Sequence, residues 1–156
     1  MVRFIAIFSI SVFVFIASCG RKTVTYSSEP VGTFFVESPS EGLVTLRSDG
    51  FGSNLRKAET DAVTKGFEAI LFRGIPQYTG LNRPMIASES KFKSNNPGWF
   101  EDFIESGTYE RFIHKDFGTQ ELSIQTGKRV NREFTINYKN LRIYLEEEGL
   151  IRRFGY

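Results

Sequence analysis

Apolar residues fall into three patterns along the chain: an unbroken run, stretches at three- and four-residue spacing, and stretches of strict alternation. The unbroken run is Phe4 to Ser18, FIAIFSISVFVFIAS. Behind it, Ser, Thr, Pro and Gly recur through TYSSEPVGT and ESPSEG, a composition that favours irregular chain. A short strand is predicted inside that stretch at Thr33 to Glu37. From Gly42 onward the pattern is that of one domain. Leu43 to Arg47 reads as a strand that runs into the glycines of SDGFGSN.

The next segment predicts one long helix over about residues 54–73. Ala58, Ala62, Gly66 and Ala69 form a stripe of small residues at three- and four-residue spacing, flanked by Val63, Phe67 and Ile70. Such a stripe lets a helix axis come close to a sheet. Asn54 is suited to cap the start, because its side-chain oxygen can accept from a free backbone amide. Gly74 is suited to end it, with Pro76 following and Ile75 folding back on Ile70. A second helix is predicted from Pro97 to about Ser106, capped by Asn96, with Trp99, Phe100 and Phe103 packed inward.

TYERFIHK, ELSIQT and RVNREFTINY then read as strands, with Gly127-Lys128 at the turn between the last two. In the third, Val130, Arg132, Phe134, Ile136 and Tyr138 share one face by alternation. A last helix covers about Lys139 to Glu148. Gly149 stops it, and Leu150 and Ile151 pack back. The expected fold is α+β: a mainly antiparallel sheet of about four strands with three helices, the long one packed on the sheet.

The N-terminal run changes the picture of where this domain resides. It follows Arg3 and falls short of the ~20 apolar residues that a bilayer-spanning helix needs. Its length and flanks match the core of a signal peptide. It ends in Ile16-Ala17-Ser18-Cys19, which resembles the bacterial lipobox: an aliphatic residue, two small ones and a cysteine. That resemblance implies cleavage between Ser18 and Cys19, with S-diacylglycerol on the thiol of Cys19 and an acyl chain on its new amine. Thiolate nucleophilicity is the reason for cysteine there. The competing readings are an uncleaved signal anchor, with Arg21 and Lys22 as a stop, and an ordinary signal peptide. The organisation expected is a signal peptide over 1–18, an acylated N-terminus and tether over 19–41, and a single domain over 42–156. Glycine at position 20, where aspartate would favour the inner membrane, points to the outer membrane facing the periplasm.

Composition narrows the chemistry. The formal charge is +2, Cys19 is the only cysteine and His114 the only histidine. There is no intrachain disulfide, no cysteine metal cage and no concentrated basic face of the nucleic-acid-binding kind. No metal and no cofactor is implied. His114 with Asp116 is the one arrangement suggesting a small tethered hydrolase. The two lie two apart on a predicted strand, and no GxSxG nucleophile elbow is present. Gly50 to Asn54, a glycine turn between strand and helix, suggests phosphate binding. Leu55 stands where the dinucleotide fingerprint needs its third glycine. Lys128, Arg129, Arg132, Arg152 and Arg153 are candidates for contact with anionic headgroups or a partner.

LVTLRSDGFGSNLRKAETDAVTKGFEAIL resembles a pattern in small bacterial envelope lipoproteins, in which a strand leads through GxG into a helix with alanines at four-residue spacing. The group is typified by the twenty-kilodalton Helicobacter antigen. The N-terminal domain of a flagellar outer-membrane assembly protein is similar, and lipoprotein activators of penicillin-binding proteins more distantly so. The matching positions are Gly50, Gly52, Ala58, Ala62 and Ala69, with Gly66 in place of another alanine. The resemblance implies a lipid-anchored, non-catalytic α+β domain that binds or scaffolds an envelope protein, with no catalytic residues to carry over.

Overall fold

The computed structural model describes residues 32–122, 124 and 126–153. Four strands, β1 (Thr33–Glu37), β2 (Leu43–Gly52), β3 (Ile113–Leu122) and β4 (Lys128–Asn137), form one sheet in the order β1-β2-β4-β3. Every neighbouring pair is antiparallel. The helices are α1 (Leu55–Glu68), α2 (Glu89–Asn95), α3 (Trp99–Glu105) and α4 (Tyr138–Glu147). This is the α+β architecture expected, with its long helix on the sheet. The sheet takes in Thr33–Glu37, so ordered pairing begins ahead of Gly42.

The core lies on one face of the sheet. Val44 and Leu46 of β2 and Phe134 and Ile136 of β4 are fully buried there. The opposite face is polar. Thr45 and Thr135, directly paired, join their hydroxyls at 2.8 Å, and Arg47 pairs with Glu133 at 2.8 Å.

The small-residue stripe brings α1 almost into contact with the strand backbone. A Cβ placed on Gly50 would stand 1.9 Å from the Ala58 carbonyl oxygen and 2.6 Å from the Ala62 nitrogen. On Gly52 it would stand 2.5 Å from the Ala58 nitrogen, and on Gly66 2.5 Å from the Phe134 ring. Backbone φ is not the reason for Gly50 or Gly52, since neither is positive. They are glycine because nothing larger fits between strand and helix. Asn54 caps α1, accepting from the Lys57 amide at 2.9 Å. The helix leaves through a wide π turn, Ala69–Arg73, and Gly74 ends it at φ 79°.

Three elements differ from the sequence expectation. Residues 108–112 of TYERFIHK form a 3₁₀ turn, and one strand, β3, runs from Ile113 through the start of ELSIQT. Gly118, at φ 95° beside a register shift, carries the strand past a point that reads in sequence as a break. β3 is an edge strand with most residues exposed, so alternation is absent and its extent is invisible to periodicity. The second expected helix starts at Trp99, with Gly98 rather than Asn96 at its cap position. Ahead of it lies α2, which makes four α-helices among the described residues rather than three. Phe92 is the one buried residue of α2, so no amphipathic repeat announces it.

Candidate functional site

The largest consequence of α2 is a cleft of about 670 Å³ between it and the end of α4. Its apolar lining includes Met85, Ile86, Phe92, Leu150 and Ile151. Its polar lining includes Lys91, Arg142, Arg152 and Arg153, and among the described residues no carboxylate lines it.

Each wall is held by backbone bonds. Met85 and Ile86 donate to the carbonyls of Ile70 and Leu71 at 3.2 and 2.9 Å, satisfying acceptors that the helix end leaves open. Ile75 donates to Leu81 at 2.6 Å, closing the loop between. Ser88 caps α2, and Phe92 packs edge-on to Trp99, with centroids 5.4 Å apart, and against Phe72 at 5.8 Å. Trp99 stacks on Phe103 at 5.1 Å, so α2 and α3 share one aromatic cluster.

The other wall comes from how α4 stops. Gly149, at φ 70°, donates to Glu146 at 3.2 Å, and Leu150 donates to Leu145 at 2.9 Å. These are the paired bonds of a Schellman motif, with Leu150 folded onto the core side. The turn sends Ile151 to the cleft wall and leaves Arg152 and Arg153 exposed on its rim. Arg142 lies one turn earlier, its Nε donating to Glu146 at 3.1 Å. Among the described residues, Lys91, Arg152 and Arg153 make no ion pair.

The basic residues singled out in sequence therefore separate into two groups. Lys128 pairs with Glu121, Arg129 with Asp49 at 3.3 Å, and Arg132 with Asp116 at 2.5 Å. Burial opposes charge on Asp116, yet the Arg132 hydrogen bond, the Gly118 amide and the Arg132 charge together hold its carboxyl below the ordinary value. All three cations lie on β4 and are answered by carboxylates. Arg152 and Arg153 lie elsewhere, at the cleft.

His114 sits exposed on edge strand β3, where the register shifts between Ile113 and Lys115. Asp116 is committed to Arg132 and to the Gly118 amide at 2.9 Å. The two residues are not brought together as an oriented pair. Gly50 and Gly52 are inside β2, opposite Val130 and Lys128, rather than in a turn. The Phe51 amide between them donates to Asp61 at 2.8 Å, and Asn54 is occupied as a cap. That segment makes no anion cradle. Ser18 and Cys19 lie outside the described residues.

Tyr78 and Tyr138 join hydroxyls at 3.0 Å beneath the loop that carries Leu81. Burial, then the hydrogen bond and charge of Tyr78, push Tyr138 up to about 12. Among the described residues, no group of three or more His, Cys, Asp or Glu side chains could hold a metal ion. No helix among them is long and apolar enough to cross a membrane. Lys91, Phe92 and Arg142 escaped the sequence reading because no local signal links residues 85–96 to 142–153. Comparison with protein-family models, with curated proteins and with solved structures finds no match.

Proposed function

We propose that the protein is a bacterial envelope lipoprotein, moored by acyl chains on Cys19 and carrying a non-catalytic domain that binds or scaffolds another envelope component. The observation that carries this reading is Ile16-Ala17-Ser18-Cys19 at the end of a short apolar run that follows Arg3. Each buried methylene contributes about 0.8 kcal/mol, and a single chain holds a protein only marginally. Two or three chains on one cysteine hold it durably. Residues 20–32 can span at most about 45 Å between that anchor and the sheet, by the reach of an extended chain. Confinement to one membrane raises the effective concentration of domain and partner. Gly20 favours the outer membrane, with the domain facing the periplasm.

A binding role is further supported by the cleft, which offers apolar surface and fixed positive charge without a nucleophile–base pair among its lining residues. The test is metabolic labelling with an alkyne palmitate analogue, read together with intact mass. The wild-type chain is expected to take the label and begin at Cys19. Cys19→Ser is expected to take none and to retain residues 1–18. Equal labelling of the two, or an unlabelled wild-type chain with its leader attached, overturns the reading.

A further inference from the structure

We infer that the cleft between α2 and α4 receives a peptide segment of a partner protein, one that places an aromatic or aliphatic side chain on the cleft floor and acidic residues against its rim. This deepens the binding reading above and is independent of the anchor.

Two observations select that occupant. The first is charge. Among the described residues, Lys91, Arg152 and Arg153 stand at the opening with no ion pair, and none of the residues lining the cleft is a carboxylate. The cations of β4 show the contrast: Lys128, Arg129 and Arg132 each face a carboxylate of their own chain. A rim of unanswered cations around a concave site attracts an anionic partner and fixes its register. The second observation is the lining between those cations, where Met85, Ile86, Phe92, Leu150 and Ile151 offer apolar surface. An occupant that matches both must carry apolar and acidic groups side by side, as a peptide segment does. The volume, about 670 Å³, lies within the ~300–1,000 Å³ range of sites that enclose small ligands. An apolar anchor among charged contacts is the usual energetic centre of such recognition.

The experiment uses the full-length acylated protein in phosphatidylcholine vesicles, screened against a displayed library of random heptapeptides. Selected peptides are expected to carry Asp or Glu flanking Phe, Trp, Leu or Ile. A fluorescent copy of one is then titrated. The triple variant Lys91→Glu, Arg152→Glu, Arg153→Glu is expected to weaken it at least about tenfold, and Arg152→Lys with Arg153→Lys to retain most of the affinity, since the charge is kept. Thermal melting checks that each variant is folded. The Cys19→Ser chain, assayed in detergent, is expected to select the same peptides, so failure of the anchor and failure of the cleft are read separately. The proposal is overturned by a library that yields no acidic-apolar enrichment. It is overturned equally by affinity that survives the triple variant. A Cys19→Ser chain that selects no such peptide in detergent but sediments with phosphatidylglycerol vesicles, and ceases to do so when it also carries the triple substitution, identifies the membrane as occupant and also overturns it.

Discussion

The seam between α1 and β2 and the cleft between α2 and α4 are opposite solutions to packing a helix. At the seam, glycines face alanines and the helix backbone lies where side chains would ordinarily be. At the cleft, two helix ends are braced by aromatic stacking and backbone bonds, and the space between them is left open. The first arrangement has no tolerance for added atoms, because interiors are close-packed and overfilling strains backbone on both sides. The second has exposed rim residues that no core contact depends on. Rigid support and free surface are thus divided between two regions, and the recognition proposed above draws on the second.

The comparison breaks most sharply at Gly50. Gly50→Ala puts a methyl 1.9 Å from a backbone carbonyl that cannot rotate away. A loss of about 3 kcal/mol in urea unfolding is expected, at the upper end of overpacking costs. A loss below 0.5 kcal/mol would mean that α1 does not lie against β2 as described. Gly66→Ala is expected to cost less, about 1–2 kcal/mol. Its methyl meets the Phe134 ring at 2.5 Å, and alanine recovers part of the cost through helix propensity. An increase in stability there would show that the ring has room to withdraw. Arg152→Glu with Arg153→Glu sits at the far end of the scale. Both residues are exposed, and the expected change in stability is within about 0.5 kcal/mol. A larger loss would make these arginines structural and weaken their assignment to a binding rim.

Much of the fold was legible because local signals agreed with burial. The small-residue stripe, the Asn54 cap and the Gly74 stop mark α1 at both ends and name its packed face. Gly149 followed by two apolar residues marks the end of α4 in the same way. Where burial was weak, periodicity carried nothing: β3 is exposed along most of its length, and α2 turns a single Phe92 inward. The glycines before α1 drew attention as a ligand turn, although their role is steric. Composition cannot tell a cradle for phosphate from a gap for a helix, because both require the missing Cβ.

The sequence by itself determined the small-residue contact, the Asn54 cap, the Gly74 and Gly149 stops, the antiparallel α+β class and the expectation of a lipidated Cys19. These rest on residues close together in the chain. The tertiary structure alone decided which cations are answered by carboxylates among the described residues and which are not. Arg129 and Arg132 find Asp49 and Asp116 only through strand pairing, and Arg152 comes to line one cleft with Lys91 only through the packing of two distant helices. Charge acts through space within about a Debye length, and sequence separation does not record that distance.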